Sequence, residues 1–293
     1  MTEASQRRGA LLALFALTLI WSYNWIVMKQ VLHDAGPFHF AALRGVLSTG
    51  VLFGVLALRR DSLRPPPWLP TLVVGLAQTT GFQGLVQWAL VDGGAGKTAL
   101  LAYTMPFWVL LLARLALAEQ PSGRQWLCVV LAAVGLLLVL EPWQSRGFGV
   151  SAALALASGL AWAIGVVASK RLFARHRVSA LNLTAWQMGI GTLGLLVVAA
   201  CVPERAIAWT PFFGAALAYN AVLASGLAWV LWSVVVQRLP ASVAGLTSLA
   251  VPLCGTLLAW VLLDERPSGV ESIGIALIGA ALVGISRTPQ RGS

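Results

Sequence analysis

The sequence predicts an all-α membrane protein of ten transmembrane helices, arranged as a 5+5 inverted-topology repeat. Three observations predict it. Apolar residues make up 58% of the 293-residue chain and charged residues only 10%, too little charge to wet a globular surface. Apolar runs of about 20 residues recur along the whole length, as a helix needs to cross ~30 Å of hydrocarbon at ~1.5 Å per residue. Finally, residues 95–136 align without a gap to 241–282 with 13 identities in 42 positions, among them Pro106/Pro252, Glu119/Glu265 and Pro-Ser-Gly at 121–123 and 267–269. A hydrophobic chain made of two copies of one unit fits a carrier whose site lies where the copies meet.

Reading the apolar runs against their breaks places spans at 10–28, 37–58, 69–91, 97–118, 124–141, 148–169, 179–201, 210–236, 241–263 and 269–286. The first repeat then covers 1–145 and the second 146–293, with short turn-rich connectors and no room for a soluble domain. Five spans per copy is an odd number, so the second copy enters the membrane upside down. Trp21 and Lys29 fall opposite Trp162 and Lys170 at a common offset of 141, which aligns the opening spans too. The first apolar run carries no small-residue cleavage site and reads as a retained helix rather than a signal peptide.

Counting Lys and Arg in alternate connectors gives thirteen on the side of both termini and five on the other. Cationic connectors stay cytoplasmic, so both termini are expected in the cytoplasm of a multi-pass bacterial inner-membrane protein. The net charge of +10 lies in these connectors rather than along one helix face. It therefore reads as topology information, with the lipid bilayer and not nucleic acid as partner. Cys128, Cys201 and Cys254 are too far apart to suggest a disulfide framework or a metal site. The string Gly93-Gly94-Ala95-Gly96-Lys97-Thr98 looks like a phosphate loop but has Val91 where the motif needs its first Gly, and reads as a tight connector.

The first copy opens Leu19-Ile20-Trp21-Ser22-Tyr23-Asn24-Trp25-Ile26-Val27-Met28-Lys29, followed by Pro37 and Ala42-Leu43-Arg44. This resembles the Trp-Gly-Ser-Asn-Phe…Lys…Pro…Leu-Arg pattern of the EamA family of the drug/metabolite transporter superfamily, with Ser22 and Tyr23 replacing the usual Gly and Ser. A Pro in each fourth span and a Glu at its end complete the likeness, which covers essentially the whole chain. The resemblance implies a ten-helix 5+5 inverted-repeat carrier of small metabolites. The bacterial exporters of aromatic amino acids look the most similar.

All ten carboxylates and all three histidines fall in tails, connectors or span ends. No acid is left in the membrane core for proton coupling, for a paired-acid hydrolase or for a metal. No catalytic residue and no cofactor are expected, and the cargo needs no buried counter-anion; a net-neutral zwitterion fits. Arg44 is the deepest unpaired charge. It either clamps backbone carbonyls and polar neighbours or faces the cavity and attracts a carboxylate. Pro106 and Pro252 break corresponding spans and free the carbonyls four residues earlier, at Ala102 and Ser248. Matched breaks are either simple kinks or gating elements beside a site.

Thr80, Gln83 and Gln87 share one face of span three, with Gln78 off it. Asn24, Tyr103, Trp186, Gln187 and Asn220 lie at span depth. Each such polar side chain is either interhelical glue or a ligand group. Trp21, Trp108, Trp162, Trp186 and Trp229 lie deep, either as packing or as the aromatic wall of a site. Trp68, Trp126, Trp143, Trp209 and Trp260 sit near span ends as interface anchors. The expected molecule is a monomeric alternating-access carrier of an amino acid-like small molecule. Its site would be walled by spans one, three, four, six, eight and nine.

Overall fold

The computed structural model describes residues 3–117, 119–140, 143, 149–263 and 268–286, and every regular element among them is helical. Ten rods result. The first is α1 (Glu3–Gln30), ending in a 3-10 turn at Val31–His33, and the second is α2 (Pro37–Leu58). The third joins α3 (Trp68–Val74) to α4 (Phe82–Asp92), the fourth is α5 (Ala95–Ala102) plus α6 (Met105–Ala116), and the fifth is α7 (Gly123–Leu140). The second copy repeats the plan: α8 (Val150–Arg175), α9 (Ala180–Cys201), α10 (Pro211–Tyr219) joined to α11 (Ala228–Arg238), α12 (Ala241–Thr247) plus α13 (Ala250–Leu263), and α14 (Gly269–Ser286). Span ends predicted from hydropathy agree to within a few residues, except that α1 begins earlier and α8 runs on to Arg175.

The starts of these rods follow from their caps. Pro37 and Pro211 open α2 and α10, where a missing N–H costs nothing. The Ser179 and Thr210 side chains accept from Asn182 N and Phe213 N and so cap α9 and α10.

Two features of the rods are irregular in both copies. Residues Gly75–Gly81 and Asn220–Leu227 are π-helical, in the third rod of each copy. The fourth rod of each copy is broken, at Tyr103–Thr104 and at Ser248–Leu249, with Pro106 in the first turn after the first break. The carbonyls exposed by the breaks are taken up locally: the Thr104 hydroxyl donates to Leu101 O at 2.7 Å and the Ser248 hydroxyl to Gly245 O at 2.7 Å. Ser248 O accepts from Val251 N at 3.0 Å, so the carbonyl four residues before Pro252 is not free, contrary to expectation. The chain tightens into a 3-10-like bond there instead of opening.

The copies interleave rather than sit side by side. α1 packs on α11 and α13 of the second copy, α8 packs on α4 and α6 of the first, and α2 packs on α9. α7 lies along α14 at the flank, their backbones closest at Gly135 and Gly274. A Cβ on Gly135 would sit 2.7 Å from Gly274 O, and one on Gly274 2.6 Å from Gly135 O, so only Gly permits this approach.

Two faces are defined by hydrogen bonds between rod ends. At the face away from the chain termini, the Glu204 carboxylate accepts from Phe38 N and His39 N at 2.8 and 2.7 Å, capping α2. Lys29 Nζ donates there to Leu90 O and Gly93 O at 2.7 and 2.9 Å, neutralising the C-terminal end of α4. At the terminal face Lys170 Nζ repeats this on α11, donating to Val236 O and Leu239 O at 3.2 and 2.7 Å. The Glu119 carboxylate accepts from Ala241 N at 2.8 Å and from Ser242 N and Oγ at 3.2 and 2.7 Å, fastening the end of α6 to the start of α12. Glu265, its repeat partner, lies outside the described residues.

Candidate functional site

Between the copies is a narrow chamber whose open core is about 30 Å³. Its wall comes from spans one, two, three, four, six and eight; span nine contributes none of it, and span two enters through Arg44. Asn24 and Met28 lie in the last two turns of α1, Arg44 at the start of the third turn of α2, and Gln83 and Val86 in α4, which places the chamber in the half nearer the far face.

The floor is aromatic. Trp21 meets Trp162 at 5.5 Å and Trp229 at 5.4 Å between ring centroids, both edge to face. Phe82 lies 4.7 Å from Trp162 and 6.0 Å from Trp229, and Tyr103 meets Trp162 at 5.6 Å. Such contacts each contribute about 0.5–1.5 kcal/mol beyond burial, so the cluster is held rigid by its own packing. One member is fixed by the irregular backbone: Trp21 Nε1 donates to Ala224 O at 3.0 Å, inside the π-helical stretch. A π turn offsets the carbonyls from their usual partners, which makes this bond available.

The polar wall is incompletely satisfied. Arg44 is 3% exposed; its Nη1 donates to Asn220 Oδ1 at 3.1 Å and to Met28 Sδ at 3.2 Å, and its plane lies 5.4 Å above Phe40. Its Nε has no partner, and no carboxylate among the described residues pairs with it. Asn24 Oδ1, Gln83 Oε1 and Trp162 Nε1, all in the lining, are likewise buried without a hydrogen-bond partner. Four such groups converging on one cavity is unusual, because buried polar atoms are normally paired.

Of the residues singled out from sequence, Trp21, Asn24, Arg44, Gln83, Tyr103, Trp162 and Trp229 come together in this lining. Others stand outside it. The Thr80 hydroxyl turns to Gly191 O on α9 at 2.7 Å, because the π-helical register separates it from the face of Gln83. Gln87 donates to Met28 O at 3.3 Å behind the chamber. Asn220 holds Arg44 from outside the lining, its own Nδ2 fixed on Ala216 O at 3.1 Å. Trp186 sits near the start of α9, bonded to Leu63 O at 3.2 Å. Trp108 packs against the core, and Ser248 stays in its helix break, bonded to Gly245 O. Pro106 follows the break of span four and lies behind Tyr103 rather than in the lining, and Pro252 follows that of span nine.

Trp25, Met28, Phe82, Val86, Ala224 and Ser225 complete the wall, and sequence reading passed over them. Trp25 and Met28 were within reach, since they share a helical face with Trp21 at spacings of four and seven. Among the described residues there is no group of three His, Cys, Asp or Glu side chains that could hold a metal ion.

Comparison with known proteins agrees with this architecture. A solved crystal structure superposes with a TM-score of 0.77 at 23% identity, covering 95% of this chain and 96% of that one. The chain is 29% identical over 278 residues to "Uncharacterized transporter YoaV" of Bacillus subtilis (strain 168), covering 92% of this chain and 93% of the relative. It is 26% identical over 292 residues to a "Probable amino-acid metabolite efflux pump" of Escherichia coli (strain K12), with 94% of each covered. It is 25% identical over 288 residues to a "Probable terminal-alkyne amino-acid exporter" of Streptantibioticus cattleyicolor, covering 95% and 93%. The model of the EamA-like transporter family matches twice, over residues 7–141 and 149–287. Matched over nearly its whole length and once per copy, the chain belongs to the EamA-like transporter family.

Proposed function

We propose that this protein exports zwitterionic amino acids with aromatic or large apolar side chains, by alternating access, as a monomer in the bacterial inner membrane with both termini cytoplasmic. The observation that carries the reading is Arg44, a buried cation with an unpartnered Nε in a chamber that no Asp or Glu lines. A charge held at membrane depth costs about 2.5–3.5 kcal/mol on insertion-based scales, and an arrangement serving packing alone would be expected to saturate it. An α-carboxylate at Arg44 supplies the missing partner through charge-assisted hydrogen bonds. Asn24 Oδ1 and Gln83 Oε1 are acceptors on the same wall and suit an α-ammonium group without carrying charge. The rings of Trp21, Phe82, Tyr103, Trp162 and Trp229 line the same cavity and then pack on the side chain as the cavity widens around it.

Two relatives whose names refer to amino-acid export support the substrate class. The excess of Lys and Arg at the terminal face supports the orientation. With that orientation the chamber lies in the outer half, while Glu119 and Arg171, whose guanidinium donates to Ala116 O at 3.0 and 2.6 Å, tie the copies together on the cytoplasmic side. Opening inward requires those bonds to break.

The test is transport in proteoliposomes loaded with labelled phenylalanine, tryptophan, leucine, threonine and a quaternary ammonium ion. Flux of the first three, little of threonine and none of the cation is expected. No flux for any amino acid overturns the reading. Flux led by the organic cation points instead to a broader drug exporter. An imposed pH gradient is expected to drive little accumulation, because the chamber lining holds no carboxylate.

A further inference from the structure

A second concavity opens at the terminal face, where the connector between α2 and α3 meets the connector between α8 and α9. It is an open cleft of about 530 Å³, lined by Asp61, Ser62, Arg64 and Pro65–Pro67 from the first copy and by His176–Ser179 and Asn182 from the second. Its charge is one-sided. Arg64 and Arg177 are exposed and have no carboxylate partner among the described residues, and His176 stands beside them. The one acid in the lining, Asp61, is paired with Arg59 at 3.2 Å.

The cleft is held in shape from below. Asn182 Nδ2 donates to Ser62 O at 2.6 Å and to Arg64 O at 3.2 Å, so the Arg64 backbone is pinned to α9 instead of moving with a loose loop. Asn182 is only 8% exposed. The Ser179 side chain caps α9, whose amino-terminal end adds positive potential to the same space. Beside it, Leu63, Trp68 and Leu69 are 49, 57 and 69% exposed at the end of apolar spans, where acyl chains lie.

We propose that this cleft binds the phosphate headgroup of an anionic membrane phospholipid, bridging the two copies at the terminal face. Two unpaired guanidinium groups in a concave pocket call for an anion, and Arg matches phosphate oxygens in a bidentate fork. The apolar side chains at its edge favour a phosphate carried on a lipid over one free in solution. Basic pockets between spans at the positively charged side of a membrane protein recognise lipids in this way.

The full chain, purified in a neutral detergent, is titrated with short-chain phosphatidylglycerol, with phosphatidylcholine of the same chain length, and with inorganic phosphate. Binding is read by native mass spectrometry and by melting temperature. Phosphatidylglycerol is expected to bind and raise the melting temperature, with phosphatidylcholine at least about tenfold weaker and millimolar phosphate without effect. Arg64→Gln/Arg177→Gln is expected to lose the preference for phosphatidylglycerol while melting like the parent in detergent alone. Arg64→Lys/Arg177→Lys keeps most of the preference, and Arg8→Gln/Arg124→Gln, which removes two charges of the same face outside the cleft, keeps all of it. Equal binding of the two lipids overturns the proposal, as does equal loss in the Arg8/Arg124 control. Inorganic phosphate that binds and displaces the lipid overturns the lipid as its source.

Discussion

The two repeats bring the same framework to the chamber and opposite chemistry. Arg44 is the eighth residue of α2 and Gln187 the eighth of α9, two helices of 22 residues each. Gln83 lies seven residues before Leu90, a carbonyl held by Lys29, and Trp229 lies seven before Val236, the carbonyl held by Lys170. At the offset that pairs Trp21 with Trp162, Asn24 falls opposite Gly165. Every polar anchor of the first copy thus has a neutral, aromatic or absent counterpart in the second. What both copies keep is mechanical: the π-helical third rod, the broken fourth rod and the lysine on a helix C-terminus.

The difference teaches where the pocket can be. Where the first copy places Asn24 against the chamber, the second leaves Gly165, and the Gln78 side chain fills the position that a Cβ on Gly165 would occupy. The position equivalent to Asn24 is therefore already filled by a side chain of the first copy. The duplicated copies thus share their irregular and broken rods and differ in the polar side chains that face the chamber.

The sharpest way to test this is at Arg44. Arg44→Gln keeps a donor but removes the charge. The catalytic efficiency of phenylalanine transport is expected to fall at least about 100-fold, or about 3 kcal/mol, as for one partner of a buried charge pair. Initial rates in proteoliposomes over a range of concentrations measure it. A change under threefold would leave Arg44 as a clamp and remove the carboxylate from the chamber.

The aromatic half should matter less, and selectively. Trp162 is 1% exposed and touches Trp21, Phe82, Tyr103, Trp229 and Trp232. Trp162→Leu is expected to raise the apparent KM for phenylalanine and tryptophan about tenfold and that for leucine about twofold, from the lost ring contacts of about 0.5–1.5 kcal/mol each. Competition between labelled substrates reads the ratio directly. An equal loss for all three would make the box a packing unit rather than a selector.

Glu119→Gln tests the framework instead of the pocket. It replaces a carboxylate capping α12 by a neutral amide and should destabilise the closed terminal face by about 1–2 kcal/mol. Melting should drop by a few degrees for a chain of this size. In a background with the three native cysteines replaced, Ser225→Cys should be labelled faster from the terminal side. Unchanged labelling would show that the tie is not part of the closure.

Much of this framework could be read directly from the sequence, because the signals are local and repeated. Ten spans follow from hydropathy, and inversion from an odd span count. The broken fourth rods follow from Pro106 and Pro252. The π-helical turns could not be read: Gly75–Gly81 and Asn220–Leu227 contain no proline, and composition does not distinguish a π turn from an α turn. Placing Thr80 on the face of Gln83 assumes an unbroken α register, which the π turn removes. The site was half legible. Deep tryptophans and Arg44 advertise themselves by type, whereas Phe82, Val86 and Ala224 are ordinary apolar residues until tertiary packing places them beside a cavity.

The smallest expected effect is the most discriminating. Gln187 is fully buried, and neither its Nε2 nor its Oε1 has a partner. An unpaired buried amide already bears a desolvation penalty of about 1–3 kcal/mol, so truncation relieves that while leaving a small cavity. Gln187→Ala is therefore expected to change melting by no more than a few degrees and the KM for phenylalanine by less than about twofold, since the terms nearly cancel. Were the repeats chemically equivalent, Gln187 would meet the cargo as Arg44 does once the chamber opens to the terminal face. Its truncation would then cost transport on the scale of Arg44→Gln. Measuring the two variants side by side decides whether the carrier holds its cargo through one copy or hands it from one copy to the other.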